Sequence, residues 1–577
     1  MSSAPILRMN ESMQTCKNCN VQFDHPEHFK AYLARFKDVM GLPAEIPLPD
    51  LCSSCRAQRR FSFRNEMNLY RRQCSLCKKD IVAMYDADAL FPVYCRDCFW
   101  SDSWDAMSFG RPFDFFRPFF EQYHELLHTV PRIALMATPD CVGSDYANYI
   151  GSAKNSYLIF GSIIVEDCYY GSPYYSKNCV DILVSRHCEY SYELIDCQNL
   201  YTSAYCQDCE NSHDIAFCHD VKNSSDCIGC VGLRSAQFCI YNEQLTEQEY
   251  KKRKAEMPLW DPSVRHEIQQ KVDELTLKIP HRYMRGSKNE QVSGDYIFAS
   301  KNTFESFFVE KCEDSAFLGQ TIDMKDCYDC NFTENDELLY NYLGSWKVQR
   351  SLCSLACHNS SDLFYSDFCT SCSNLFGCIS LKNKANAILN QEYAPDEWRT
   401  LRDKIIPHMK ETGEWGQYVL PKYSPLAFNE SVAIQYYPLS KEEVITRGWK
   451  WKENVGGTTG RETIAHDTIP ASIEEVPDDI IKEILACQTC GKNYKLIKQE
   501  LAFYKKFGYG TPRLCPSCRH CARLAKRNPR QLWIRQCDCI VMTHDHSARC
   551  STEFQATYAP DRSEHVFCEA CYQKEMV

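Results

Sequence analysis

Residues 179–239 read "CVDILVSRHCEYSYELIDCQNLYTSAYCQDCENSHDIAFCHDVKNSSDCIGCVGLRSAQFC", and their cysteines keep a fixed spacing. Cys179, Cys188, Cys197 and Cys206 are nine residues apart, and the nine-residue step resumes at Cys209 after a skip of three. Two steps of nine and one of three give a 21-residue period. The predicted columns are Cys188, Cys209 and Cys230; Cys197, Cys218 and Cys239; and Cys206 with Cys227. A short fixed period with interleaved apolar and polar residues predicts short strands stacked in a parallel β-solenoid.

The same pattern recurs later in the chain. A shift of 148 residues places Cys357 and Cys378 on Cys209 and Cys230. We therefore predict that the solenoid is duplicated. The columns account for the mid-chain CxxC pairs without a metal, so we interpret those cysteines as small core residues.

Both ends of the chain carry cysteines that are spaced like metal ligands. Three sets of paired CxxC motifs begin at Cys16, Cys74 and Cys487. Each motif turns two sulfurs to one side, and two motifs complete a tetrahedron of thiolates. Zinc fits this arrangement best, because it accepts four sulfurs and leaves no open position.

A fourth set is less regular. Cys537 aligns with Cys74, and the last CxxC motif of the chain resembles Cys95-x-x-Cys98. We favour Cys550 as the remaining ligand; the alternatives left open are Cys539, His544 and His546. The predicted ligands of about four structural zinc ions are Cys16, Cys19, Cys52, Cys55, Cys74, Cys77, Cys95, Cys98, Cys487, Cys490, Cys515, Cys518, Cys537, Cys550, Cys568 and Cys571.

The segment "CQTCGKNYKLIKQELAFYKKFGYGTPRLCPSCR" (487–519) resembles the zinc-ribbon (zinc-binding) domain family. The resemblance places Cys487, Cys490, Cys515 and Cys518 on the family's ligand positions. The whole chain also resembles uncharacterised multi-zinc-ribbon proteins of candidate-phyla bacteria and giant viruses, some of which are labelled CaiB/BaiF. That label implies a CoA transferase, and no residue pattern here supports it.

Composition indicates a reducing compartment. The chain has 37 cysteines, no apolar run of membrane-spanning length and no secretory signal at its start. We therefore expect a cytoplasmic protein without membrane contact, whose thiols are reduced.

Charge is divided between the ends and the middle. Residues 487–537 hold 12 Lys and Arg against one acid, whereas residues 137–245 hold 5 against 14 and residues 295–395 hold 7 against 14. Any account of the protein's partners has to include this separation of charge.

A twenty-residue frame occurs at both ends. "CRAQRRFSFRNEMNLYRRQC" (55–74) aligns without a gap with "CRHCARLAKRNPRQLWIRQC" (518–537). Each copy predicts a helix with arginines on one face. The predicted nucleic-acid-binding residues are Arg56, Arg60, Arg64, Arg519, Arg523, Arg527, Arg530 and Trp533.

Three interpretations of the frame remain open. In the first, the arginines bind the phosphates of a nucleic acid or ribonucleoprotein, while Tyr504, Phe507, Tyr509 and Trp533 stack on unpaired bases. In the second, the basic ribbons dock on acidic protein surfaces, including the chain's own solenoids. In the third, the arginines only cap carbonyls and shield the zinc thiolates.

We expect no enzyme, because four-thiolate sites leave no place for water and the common catalytic motifs are absent. A pair of acids in a solenoid groove is the remaining catalytic possibility. The predicted fold is mostly β and multidomain, with these segments: zinc ribbons 1 and 2 (1–110), a helical connector (111–139), β-solenoid 1 (140–245), a helical connector (246–294), β-solenoid 2 (295–395), a cap and connector (396–486), and zinc ribbons 3 and 4 (487–577).

Overall fold

The computed structural model describes residues 13–544 and 546–576. Within these ranges the chain is mostly β, with twelve α-helices and two nine-stranded, mostly parallel sheets. None of the described helices is both long and apolar enough to cross a bilayer. The first twelve residues, part of the segment in which no secretory signal is predicted, lie outside the described residues.

The two large sheets, called here the first and second stack, occupy the middle of the chain. The first stack contains Asn148–Lys154, Tyr157–Glu166, Tyr169–Tyr174, Val180–Arg186, Gln198–Tyr201, Glu210–Ala216, Ser225–Ile228, Gln237–Ile240 and Glu243–Gln244. The second contains Gly286–Ser287, Glu290–Phe298, Lys301–Ala316, Gly319–Lys325, Tyr328–Leu352, Leu355–Phe364, Ser373–Phe376, Ala385–Ile388 and Gln391–Glu392. Both stacks end in an antiparallel hairpin at positions related by the 148-residue shift.

A left-handed backbone conformation recurs at nearly every third residue of both stacks. Asn178, Asp181 and Val184, for example, have φ angles of 51°, 59° and 47°. Most strand partners are twelve residues apart, as in Gln198 beside Glu210, and some are eleven apart, as in Val180 beside Tyr169. Four three-residue steps therefore separate most residues from their partners in the next strand.

The predicted 21-residue columns are wrong, because strand partners lie twelve residues apart. The nine-residue step is still physically meaningful. The Sγ atoms of Cys179 and Cys209 lie 3.3 and 3.4 Å from the carbonyl oxygens of Cys188 and Cys218. A step of nine residues is one turn of twelve residues shortened by one three-residue step. Cys179 and Cys209 therefore contact the backbone of the turn that follows them in the chain.

The residue after most left-handed positions is buried and small or aliphatic; Asp336 and Tyr342 are buried exceptions. Cys179, Ile182 and Ser185 are each at most 1% exposed. Serine hydroxyls at such positions accept backbone N–H groups, as Ser176 Oγ does from the N–H of Cys188 at 3.1 Å. Every cysteine from Cys141 to Cys378 is buried, and in the described ranges none of them joins a metal-like cluster.

Hairpins and helices make up the ends of the chain and the connectors. The antiparallel hairpins are Gln14–Thr15 with Gln22–Phe23, Tyr70–Gln73 with Asp80–Ala83, Leu485–Ala486 with Asn493–Tyr494, and Trp533–Gln536 with Glu553–Ala556. Two short parallel pairs join Val93–Tyr94 to Arg132–Ile133 and His281–Arg282 to Val566–Phe567. The helices are Glu27–Met40, Ser53–Phe61, Arg96–Trp100, Phe119–Thr129, Glu247–Ala255, Pro262–Lys278, Pro395–Glu411, Ala433–Tyr436, Lys441–Thr446, Lys498–Phe507, Pro516–Ala525 and Glu569–Met576.

The two ends of the chain cross over in space. The helix Ser53–Phe61, near the N-terminus, contacts strand Tyr328–Leu352 of the second stack. The helix Pro516–Ala525, near the C-terminus, contacts strands Tyr169–Tyr174 and Val180–Arg186 of the first stack. Each end therefore packs a helix on the stack that is farther from it in sequence, while strand Glu553–Ala556 also contacts strand Glu290–Phe298 of the second stack.

Candidate metal centres and arginine interfaces

The sixteen predicted cysteine ligands form four groups that are placed to hold metal ions. These are Cys16, Cys19, Cys52 and Cys55; Cys74, Cys77, Cys95 and Cys98; Cys487, Cys490, Cys515 and Cys518; and Cys537, Cys550, Cys568 and Cys571. Within each group the four sulfurs lie within 4.8 Å of one another. In each of the first three groups, a short hairpin carries one CxxC motif and the start of a helix carries the other.

Sulfur–sulfur distances in three groups match a tetrahedral zinc site. The Sγ atoms of Cys19 and Cys52 are 3.8 Å apart, those of Cys77 and Cys95 are 3.9 Å apart, and those of Cys490 and Cys515 are 3.8 Å apart. A Zn–S bond of about 2.3 Å in a tetrahedron requires a sulfur–sulfur distance of about 3.8 Å. A disulfide would instead bring the sulfurs to about 2 Å. The geometry therefore fits four thiolates around one ion.

Backbone N–H groups point at the sulfurs. The N–H of Cys95 lies 3.3 Å from Cys74 Sγ, and the N–H of Cys568 lies 3.2 Å from Cys537 Sγ. Burial opposes ionisation of the Cys74 and Cys487 thiols, but backbone hydrogen bonds lower the pKa of each to about 6. Such hydrogen bonds favour the thiolate form that binds metal.

Cys550 belongs to the fourth group, as predicted. The three alternatives do not replace it. Cys539, His544 and His546 belong to the loop between Cys537 and Cys550, and they form a second group with Cys571.

Arg56 and Arg60 share one carboxylate of the second stack. Arg56 Nε lies 2.7 Å from Asp329 Oδ2, and Arg60 Nη1 lies 3.2 Å from Asp329 Oδ1. All three side chains are at most 5% exposed. We call this arrangement the second-stack clasp.

The C-terminal copy of the frame makes the same contacts with the first stack. Arg519 Nη1 lies 2.6 Å from Asp181 Oδ2, and Arg523 Nη2 lies 2.8 Å from Asp181 Oδ1. Glu500 adds a second carboxylate 3.1 Å from Arg519 Nη1. The set of Arg519, Arg523 and Asp181 is called here the first-stack clasp.

The two clasps are equivalent by sequence. The arginines differ by the 463-residue offset of the frame, and Asp181 and Asp329 differ by the 148-residue offset of the stacks. Both aspartates occupy left-handed positions, with φ angles of 59° and 57°. Sequence reasoning missed these aspartates, although the 148-residue shift aligns them.

The third arginine of each frame is also buried. Arg64 Nε lies 2.7 Å from Glu66 Oε1, and its guanidinium lies 3.7 Å from the Tyr149 ring centroid. Arg527 Nε donates to Asp196 Oδ2 at 2.7 Å. Neither arginine is free to bind phosphate in this structure.

Arg530 and Trp533 lie in the same interface region. Arg530 donates to Gln320 Oε1 at 2.6 Å and lies over the Tyr436 ring at 4.2 Å. Trp533 is partly buried and pairs with Ala556 in the last hairpin.

In this structure the predicted arginine faces and the nearby aromatic residues are largely occupied by contacts within the chain. The arginines face carboxylates of this chain because a buried guanidinium requires a counter-charge. Tyr504 and Tyr509 are 0% and 5% exposed, with ring centroids 5.4 and 5.1 Å from that of Tyr192. Phe507 packs on Tyr190 with the centroids 5.9 Å apart.

No protein-family model matches the chain, and no curated protein matches it. Among solved structures, a chain from Desulfovibrio desulfuricans G20 described as a "putative acetyltransferase" is similar at 9% identity and a TM-score of 0.10. The similarity covers 49% of this chain and 77% of that chain. A TM-score this low carries no argument about fold or activity.

Proposed function

We propose that the protein is a non-enzymatic, zinc-stabilised scaffold for protein–protein interaction. About four zinc ions fold the terminal ribbons, and the ribbons hold the two stacks through the clasps. The twelve-residue register and the three-residue steps support the interpretation of each stack as a parallel β-solenoid with four short sides per turn.

The burial of both arginine pairs on equivalent aspartates is the observation that carries this proposal. It favours the interpretation in which basic ribbons dock on acidic protein, here the chain's own stacks. Ribbons attached in this way favour a molecule in which ribbons and stacks form one rigid body over one in which the zinc-binding domains move independently.

An open face of the first stack supports binding of a protein partner. Asn199, Asn211 and Asn223 are exposed, and their amides form a ladder with spacings of 2.7 and 3.3 Å. Flat, regular faces of stacked repeats are common surfaces for protein recognition.

Nucleic-acid binding, the first interpretation drawn from the sequence, would require basic side chains other than the buried arginines. The third ribbon exposes Lys495, Lys498, Lys505 and Lys506. Lys505 is already paired with Asp478 at 2.6 Å, and Lys506 Nζ lies 4.3 Å from the Tyr190 ring centroid. We expect a set this small to bind phosphate weakly at physiological salt.

An enzyme site in a solenoid groove is the third possibility. A polar cavity of about 390 Å³ beside the first stack is lined by residues that include His219, His281, Arg285 and Tyr296. Burial opposes ionisation of the adjacent Asp208, yet Arg285 and His219 hold the pKa of its carboxyl below the ordinary value. A carboxylate kept ionised by its partners is poorly suited to donate a proton.

The test uses the full-length protein and a K495Q/K498Q/K505Q/K506Q variant. We expect neither to retain a single-stranded RNA on a filter at physiological salt. We also expect zinc chelation to increase amide hydrogen exchange in Val180–Arg186 and Tyr328–Leu352, because the clasps release. Salt-sensitive RNA retention that the lysine variant abolishes would overturn the scaffold proposal in favour of nucleic-acid binding.

A further inference from the structure

The loop between Cys537 and Cys550 is an insertion rich in metal-ligand residues. Cys537 and Cys550 are thirteen positions apart, whereas the equivalent Cys74 and Cys77 of the second ribbon are three apart. The ten additional residues include Cys539, His544 and His546. The second ribbon completes its four-sulfur group without any of them.

These three side chains converge on a sulfur that is already part of the fourth group. The ligand atoms of Cys539, His544, His546 and Cys571 all lie within 4.8 Å of one another. Cys539 Sγ is 3.2 Å from His544 Nδ1, and Cys571 Sγ is 3.6 Å from His546 Nε2. Zn–S and Zn–N bonds of about 2.3 and 2.0 Å in a tetrahedron place S and N about 3.5 Å apart.

Both imidazole rings are oriented as metal ligands usually are. His544 turns Nδ1 toward the sulfurs, while its Nε2 lies 3.4 Å from Glu575 Oε2. His546 turns Nε2 toward the sulfurs, while its Nδ1 lies 2.6 Å from the carbonyl oxygen of Ala548. An oxygen acceptor on the outer nitrogen fixes the tautomer and leaves the inner lone pair for a metal.

We propose that the fourth ribbon holds two zinc ions bridged by the thiolate of Cys571. One ion is bound by Cys537, Cys550, Cys568 and Cys571, and the other by Cys539, His544, His546 and Cys571. Both sites are closed by four protein ligands, so both are structural.

The net charge of the buried ligands supports a second zinc ion in the fourth ribbon. Cys539 and Cys571 are 0% and 2% exposed, and the neighbouring ligand sulfurs are also buried. With one divalent ion, Cys539 stays a neutral thiol and the other four thiolates leave two net negative charges, whereas a second ion bound by the Cys539 thiolate leaves one. Buried charge without compensation is costly, and sharing a thiolate reduces that cost.

The test is metal content and ¹¹³Cd NMR on the full-length protein. We expect five zinc ions per chain as purified, and after cadmium exchange five resonances, of which two are coupled to each other through the shared sulfur. An H544A/H546A variant should lose one ion and the coupling, while H565A, at an exposed histidine of the same ribbon, should keep both.

Four ions per chain in the wild type would overturn the proposal, as would five resonances without metal–metal coupling. If H544A/H546A does not fold, the wild-type ion count and coupling still decide the question.

Discussion

At the scale of single residues, the structure depends on two aspartates that each form ion pairs with two buried arginines. Asp181 and Asp329 are 0% exposed as side chains, and each carboxylate oxygen lies within 3.2 Å of a nitrogen of a different arginine. Loss of one partner from a buried ion pair leaves an uncompensated charge, which is far more costly than loss of a surface pair.

Asp329→Asn is therefore expected to destabilise the protein by about 3–5 kcal/mol, and Asp181→Asn by a similar amount. The measurement is the guanidinium midpoint of the first unfolding transition. Asp323→Asn is the matched control, because Asp323 is exposed in the same left-handed conformation with a φ of 58°. Equal effects of D329N and D323N would show that the clasp does not contribute.

The buried carboxyl of Asp336 predicts that the stability of the folded protein depends on pH. Burial raises the pKa of its carboxyl from 3.8 to about 7, although Ser345 Oγ and the N–H of Val348 donate to it at 2.6 and 2.7 Å. The folded state therefore favours the protonated acid. Its contribution to stability is complete below about pH 4 and is lost as the pH rises through 7.

A pKa rise of this size corresponds to roughly 4 kcal/mol. Asp336→Asn should thus raise the melting temperature relative to wild type at pH 8, and the gain should shrink at pH 6. A gain that does not vary with pH would contradict the assigned protonation.

The ligand cysteines were predictable from sequence, whereas the role of the arginines was not. A CxxC spacing by itself brings two sulfurs together, so the twelve cysteines of the first three groups could be grouped from their spacing, whereas Cys550 was favoured only by comparison with the second ribbon. Whether Arg56 faces solvent or Asp329 depends on contacts between positions 273 residues apart. No local pattern reports such a contact.

At the scale of elements, the unit of each stack is a three-residue step that ends in the left-handed region. Most of these positions are not glycine, and several are β-branched, so each carries strain of about 1–2 kcal/mol. Strand pairing and the buried residue that follows each corner offset this strain. Asn and Asp, which tolerate the left-handed region best, occupy many of the corners.

Ile164→Asn tests this description of the corners. Ile164 has a φ of 52° and is 53% exposed, so the substitution removes strain while losing little burial. We expect a gain of about 1 kcal/mol in unfolding free energy. Val142→Asn, at a residue 63% exposed and outside the left-handed region, should not stabilise the protein.

The parallel stacking and its duplication could be inferred from cysteines alone, but the length of the turn could not. Inward positions recur every three residues and accept Cys, Ser, Ile or Leu. Cysteines occupy only some of the inward positions, so their spacing alone predicts a period of 21 residues instead of twelve. Including Ser176 and Ser185, which accept N–H groups from residues twelve positions later, would have revealed the correct spacing.

At the scale of the whole molecule, the crossed packing makes the two halves of the chain depend on each other. The arginine helix near the N-terminus lies on the second stack and the one near the C-terminus lies on the first, while strand Glu553–Ala556 of the fourth ribbon also contacts the second stack. Arg132, which precedes the first stack, adds another crossed contact, with Nη2 2.7 Å from Asp367 Oδ2 of the second stack.

Cutting the chain between the stacks tests this crossed arrangement most directly. A protease site inserted after Lys278, at the exposed end of helix Pro262–Lys278, separates residues 1–278 from 279–577 upon cleavage. We predict that the two cleaved halves elute together from gel filtration with zinc bound, and that they separate when D181N and D329N are both present. Halves that separate in the otherwise wild-type protein would contradict the crossed clasps.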